Sequence, residues 1–326
     1  MSSNLPEFPP SSPSWESGPV YAGMRFAEQS PGTRQWVLSA LLLCATIVST
    51  SFAGLSQLPG VDLVTAFHLL RSEPSLILRG LPFSIPLVLI LLAHELGHFG
   101  ACRYYGMWCT PPFFIPIPIS LAGTFGAFIK IKSQFRHRRA LFDIGIAGPL
   151  AGFVFILPTL WIGIRLSKLV PKGTLPLGEL SFGEPLIFRL LGALILGYSP
   201  GKQDMVYHPM AMAAWIGLLA TSLNLLPIWQ LDGGHISYAI LGPSLQKKIS
   251  IASVIALILV SFIGWPPSIT LLFFATLLLS IGAKLRFFHP PTLHENERLG
   301  PGRVFLGFIA LLILILSFTP APVTIN

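Results

Sequence analysis

The 326-residue chain is 52% hydrophobic and only 10% charged, with a mean hydropathy of +0.71. A soluble domain carries about 25% charged residues, so composition excludes a soluble globular fold. The formal charge of +8 sits in short loops beside apolar stretches, where it sets membrane orientation; no nucleic-acid partner is expected.

The reading in chain order is an all-α polytopic membrane protein of about seven transmembrane helices (range six to eight) with a small membrane-associated β-hairpin near residues 122–133. Residues 1–33, rich in Pro, Ser and Gly, read as a disordered N-terminal tail, and no cleavable signal peptide is evident. Residues 34–326 form one membrane domain. The first span is expected at 35–55, followed by a connection, 56–80, with an amphipathic portion. The second span, 82–103, is unlike the others because it carries charge. Thr110-Pro111-Pro112 and Pro116-Ile117-Pro118 forbid a regular helix beyond it. Two glycines and a short-period alternation over 123–132 suggest an extended strand or hairpin. Such backbone at membrane depth must line a cleft or be covered by protein; the alternative is an ordinary surface hairpin. Further spans are expected at 141–166, 209–226, 249–264, 267–283 and 304–319. Residues 186–198 are apolar but short and read as interfacial or re-entrant. With the N-terminus in the cytoplasm, the 21 Lys and Arg divide 14 inside against 7 outside, which supports that orientation.

The second span contains His94-Glu95-Leu96-Gly97-His98. The histidines are four residues apart and share one helix face. Two imidazoles so placed can hold one zinc ion, while Glu95, about 100° round the helix, can reach a water without being a ligand. H-E-x-x-H also arises by chance, and a membrane histidine can serve helix packing. Three ionisable groups within five residues of an apolar helix, however, are costly to insert and mark function. At 1.5 Å per residue, His94 lies roughly 13 Å below Arg103, so the site is inside the bilayer and opens to the cytoplasm. Cys102 follows His98 by one turn, either near the site or as packing. Three cysteines (Cys44, Cys102, Cys109) make no disulfide framework.

A catalytic zinc takes three protein ligands and leaves a position for water. Asp232 is the best third candidate: it follows a proline-broken membrane helix and precedes Gly233-Gly234. Its alternative role is a helix N-cap. Asp143 follows a basic cluster able to pair with it, and Glu179, Glu184 and Asp204 fall on the outer side.

His94-Glu95-Leu96-Gly97-His98 together with Asn224-Leu225-Leu226-Pro227 and Leu231-Asp232-Gly233 resembles the site-2 protease family of intramembrane zinc metalloproteases. The resemblance covers about residues 82–242, the expected catalytic core. Gly-Thr-Phe-Gly at 123–126 and His208-Pro209 are similar to the branch found in plastids and cyanobacteria. The resemblance implies that His94, His98 and Asp232 bind Zn2+ and that Glu95 activates water. It also implies that Asn224 lies near the scissile bond and that the hairpin, with Gly123, Thr124, Phe125 and Gly126, pairs with unwound substrate. The implied substrates are single-span, membrane-anchored proteins cut within the bilayer in regulated intramembrane proteolysis. Loop 167–206 is too short for the PDZ domain some members carry, and nothing after the last span matches a regulatory nucleotide-binding domain. Regulation is therefore expected from partners or from the tail. The expected location is a bacterial cytoplasmic membrane, with a plastid or thylakoid membrane as the alternative. The competing function class is a transporter or channel that moves metal ions or protons through the buried His/Asp cluster.

Overall fold

The computed structural model describes residues 31–325 except 59, 175–179, 264–266, 285–288, 296 and 298. Residues 1–30 of the expected tail lie outside the described residues, as do Glu179 and most of the turn between the fifth and sixth expected spans. The described chain is mostly helical, with three two-stranded sheets.

Helix α1 (Thr33–Leu55) buries small and hydroxyl side chains, among them Ser39, Thr46, Ser49, Thr50 and Ser51, and exposes Val37, Leu41 and Val48. This inverted pattern is that of a lipid-facing helix, where small residues let backbones approach and hydroxyls bridge helices. Thr50 and Ser84 share a hydrogen bond of 2.5 Å, and Ser84 donates to the Ile47 carbonyl at 3.1 Å. Helix α2 (Leu63–Ser72) is the amphipathic part of the connection, capped where Asp62 accepts from the Thr65 N–H at 2.7 Å. A 3-10 turn (Pro74–Gly80) leads directly into α3 (Leu81–Tyr104).

Strand β1 (Phe113–Pro116) pairs antiparallel with β2 (Thr124–Phe128), placing Phe113 opposite Phe128 and Pro116 opposite Thr124. The expected hairpin at 122–133 therefore needs correcting: that stretch holds only the second strand. Its partner lies in the proline-rich stretch, because Pro116 ends the strand where its missing N–H is not needed. An isolated bridge, Cys109 to Ile131, continues the pairing.

Helix α4 (Arg138–Leu166) runs 29 residues through Pro149 and Pro158. On the far side, β3 (Lys168–Pro171) pairs with β5 (Gln203–Val206), and β4 (Leu180–Phe182) pairs with β6 (Val323–Ile325). Between them lies α5 (Leu186–Leu196), whose 11 residues are too short to cross a bilayer. Helix α6 (Pro209–Asn224) is enclosed by α3 and α4 and buries Ala213, Ala214, Trp215 and Leu218 in the main core with Phe83, Leu87 and Leu160. Then come α7 (Asp232–Leu241), α8 (Pro243–Ser261), α9 (Ile269–Lys284) and α10 (Pro301–Ser317). Among the described residues, four helical stretches are long and apolar enough to cross a membrane: α1, the 3-10 turn with α3, α4 and α8. Shorter apolar helices are α5, α9 and α10. This is a helical membrane protein.

Asp143 pairs with a residue far away in sequence. Arg303 of α10 donates to both its oxygens at 2.8 and 2.7 Å, and the Tyr105 hydroxyl donates to it as well. One carboxylate thus ties the end of α3 and the starts of α4 and α10.

Candidate active site

His94, Glu95 and His98 project from the middle and lower part of α3, all buried. Asp232 opens α7 and points its carboxylate at the histidines instead of capping its own helix; Leu231 holds the cap position. Asp232 Oδ2 is 3.2 Å from His94 Nε2, and Oδ1 is 3.3 Å from His98 Nε2. The two Nε2 atoms are 3.1 Å apart. His98 Nδ1 is 2.7 Å from the Ile144 carbonyl. A carbonyl only accepts, so the ring proton belongs on Nδ1 and Nε2 presents a lone pair.

The Nε2 atoms of both histidines and both Asp232 oxygens therefore converge on one point. Asp232 Oδ2 is buried without a hydrogen bond. Burying polar atoms this way is unfavourable unless something positive lies among them. Two imidazoles and one carboxylate, with ligand atoms all within 4.8 Å of one another, are a donor set suited to catalytic zinc. Glu95 stays out of that group and lies near the backbone of Ile129, just past β2. Asn224, the last residue of α6, brings Nδ2 to 3.5 Å from His94 Nε2.

Close helix packing makes this possible. A Cβ at Gly148 of α4 would fall on the His98 ring, and one at Gly152 would lie 3.2 Å from the His94 Cβ. A Cβ at Gly145 would lie 2.8 Å from the His235 Cβ and 3.3 Å from the Asp232 carbonyl. On α7, Gly233 lies against the Leu225 and Leu226 carbonyls and Gly234 against those of Ile228 and Trp229. The glycines after Asp232 thus let α7 fold back onto the loop that follows α6.

The hairpin glycines lie elsewhere. Gly123 (φ +72°) is at the turn against α1, where Ser49 donates to its carbonyl at 2.6 Å. Thr124 is buried and donates to the Ile115 carbonyl at 2.9 Å, Phe125 is exposed, and Gly126 (φ +92°) has open space. It is the far end of the strand, at Ile129, that lies near Glu95. Cys102 is buried away from the ligand group, beside Cys109. Next to the site, a cavity of about 700 Å³ lies between residues 128–135, Gln230, His235 and His289. His235 Nδ1 is 2.8 Å from His289 Nε2, and burial holds the His289 imidazole below its usual range.

Sequence reasoning missed the Ile144 carbonyl and the Ile129 amide. The small residues of α4, Gly145, Ala147, Gly148, Pro149, Ala151 and Gly152, read from sequence as a surface for close helix approach; what the structure adds is that Gly148 and Gly152 face the two histidines.

A buried group of two histidines and one aspartate, with a glutamate beside it, in a helical membrane protein is a donor set of the kind membrane metalloproteases use. The model of peptidase family M50 matches residues 82–263, and the chain belongs to that family, the site-2 proteases. Over 227 residues it is 34% identical to the probable zinc metalloprotease EGY1, chloroplastic, of Oryza sativa subsp. japonica, a match covering 64% of this chain and 38% of that one. EGY1 of Arabidopsis thaliana, also a probable chloroplastic zinc metalloprotease, is 30% identical over 243 residues, covering 74% and 43%. EGY2 of the same plant, described likewise, is 32% identical over 194 residues, covering 59% and 34%. The chain thus spans less than half the length of these relatives. Transport of ions or protons is not favoured by any of these matches.

Proposed function

We propose that this chain hydrolyses peptide bonds in or near the membrane segments of single-span, membrane-anchored proteins, in regulated intramembrane proteolysis. The observation that carries the reading is the convergence of His94, His98 and Asp232 on one buried point, with Glu95 beside them and outside that group. His94, His98 and Asp232 hold zinc; when bound, it supplies a Lewis acid to the reacting peptide.

Glu95 accepts the proton of the attacking water and delivers it to the leaving amine. The Ile129 backbone lies beside its carboxylate. Asn224 donates from Nδ2 toward the peptide oxygen as charge develops there, a contact of about 3–4 kcal/mol in comparable sites. The His98–Ile144 hydrogen bond fixes the imidazole orientation. A helical substrate must unwind to expose its carbonyl, and pairing with the β2 edge around Gly123–Gly126 offsets the loss of its helical hydrogen bonds. The 700 Å³ cavity admits water from the cytoplasmic side. We assign about seven spans, adding α6, α9 and α10 to the four long stretches and leaving α5 at the interface. The named relatives are chloroplastic, so we assign a plastid or thylakoid membrane; a bacterial cytoplasmic membrane, the first expectation from sequence, has no support from them.

Purified wild type and Glu95→Gln are compared for zinc content and for cleavage of a membrane-anchored model substrate. The expected result is about one zinc in each and cleavage by wild type alone. Equal behaviour of the two proteins, or a metal-free wild type, sinks the proposal.

A further inference from the structure

Cys102 lies on the last turn of α3, four residues beyond His98, and is wholly buried. The helix stops at Tyr104, Gly106 adopts φ +62°, and the Met107 N–H returns to the Cys102 carbonyl at 2.9 Å. This reversal carries Cys109 back over the helix end. The two residues pack in one buried cluster with Met107, Ala140 and Ile144, and their thiols lie close enough to influence each other. Neither is in a disulfide, and the third cysteine, Cys44, is exposed. Cys109 also bridges to Ile131, two residues past Ile129 near Glu95. The pair therefore joins the helix that carries both histidines to the strand beside the glutamate. The neighbouring Cys102 thiol, with Arg103 close by, lowers the Cys109 thiol below its usual range against the opposing effect of burial, so of the two buried thiols Cys109 is the better nucleophile.

We propose that Cys102 and Cys109 are a reversible redox pair, oxidised by hydrogen peroxide to a disulfide that fixes the strand to α3 and slows turnover. The Cys109 thiolate attacks a peroxide oxygen; the O–O bond breaks, leaving a sulfenic acid at Cys109 and one water. Cys102 then attacks the Cys109 sulfur; the S–O bond breaks and a second water leaves. Two electrons pass from the thiols to the peroxide, and the two thiol protons end on the two waters. A small oxidant is required because Cys102 is 0% and Cys109 1% exposed, out of reach of a protein disulfide. Slowed turnover follows from the hydrolytic reading above: the strand end at Ile129 must yield as substrate enters, and a disulfide at Cys109 holds it. The thiol chemistry itself does not depend on that reading.

The test uses the full chain in detergent, with free thiols counted by maleimide labelling after denaturation. Wild type should show all three of its thiols when reduced, should lose two on brief hydrogen peroxide treatment, and should regain them with dithiothreitol. Cys44→Ser should still lose two; Cys102→Ala and Cys109→Ala should lose no pair. Peptide mapping of oxidised wild type should find Cys102 linked to Cys109, which decides the matter even where an alanine variant folds poorly. Three thiols surviving peroxide, a loss that dithiothreitol does not reverse, or paired loss in Cys102→Ala overturns the proposal. Oxidation should also slow model-substrate cleavage at least fivefold in wild type and not in Cys109→Ala. A disulfide that forms without slowing a cleaving enzyme overturns the regulatory half. Reduced wild type that cuts nothing overturns the hydrolytic reading instead, while the thiol count still decides the pair.

Discussion

Substitution of Gly148 by alanine tests how tightly α4 holds the histidines. A Cβ at this position would lie 2.5 Å from both Cδ2 and Cε1 of His98 and closer still to Nε2. Ordinary contact begins at 3.4 Å and Nε2 would lie at 2.1 Å, so the ring must retreat by about 1.3 Å. It is anchored at 2.7 Å to the Ile144 carbonyl, so retreat either breaks that bond or turns Nε2 away from Asp232. Misplacement on the order of 1 Å costs roughly 100-fold in rate, and disturbing the group that orients a ligand costs about 10–100-fold in metal affinity. Gly148→Ala is therefore expected to lose zinc on dialysis that leaves wild type loaded, and to cleave roughly 100-fold more slowly. The control is Gly100→Ala on the same helix as the histidines, where a Cβ meets nothing within 4 Å. It should keep zinc and rate and gain up to about 1 kcal/mol of stability. A Gly148→Ala protein with wild-type zinc affinity and rate would refute the packing argument.

Removing the Arg303 guanidinium leaves Asp143 with the Tyr105 hydroxyl. Arg303→Ala should cost about 1.5–3 kcal/mol, read as a fall in melting temperature, and an unchanged melt would mean the clamp is idle. Gly123→Ala forces a side chain into φ +72° and to 2.5 Å from the Ser49 carbonyl, at a cost of about 1–3 kcal/mol. Gly126→Ala meets the same backbone strain but open space, so its melt should fall less; the reverse order would contradict the hairpin's seat on α1. On the outer side, Asp204 is held below its usual value of 3.8 by hydrogen bonds from Lys172 and the Gly173 N–H. Because the folded value is the depressed one, this support is present above pH 3.8 and lost as pH falls through the folded value. Acid should loosen the β3–β5 pair in wild type, measured as faster tryptic cutting after brief acid exposure, and Lys172→Met should remove much of that dependence.

Part of this molecule is written locally, and that part was legible. His94, Glu95 and His98 share one helix, so their relation follows from helical periodicity alone. Asp232 was readable because proline before it and glycines after it mark where a chain breaks and packs closely. The hairpin was half legible: alternation revealed β2, but β1 lies among prolines that read as irregular. What stayed hidden depends on pairs remote in sequence. Nothing in the neighbourhood of Asp143 points to Arg303, and the nearby basic cluster suggested a local partner. Cys102 and Cys109 are close in sequence, yet only the Gly106 turn shows that their thiols come close.

The site is assembled from pieces that cannot be complete alone. Helix α3 supplies two imidazoles and a carboxylate one face round; α7 supplies the remaining carboxylate through a loop that returns only because Gly233 and Gly234 fit against its carbonyls. Bringing these polar atoms to 3.1, 3.2 and 3.3 Å of one another in a buried place opposes folding, since Asp232 Oδ2 has given up water without gaining a hydrogen bond. The surroundings hold them there regardless: Gly148 and Gly152 admit the rings, Ile144 fixes one tautomer, and Glu95 lies outside the group, near the Ile129 backbone. A scaffold that only packed helices would not need glycine at every one of these contacts. A scaffold that held a cation beside a separate proton acceptor would, and the same glycines that admit the histidines then set how closely α3, α4 and α7 can meet.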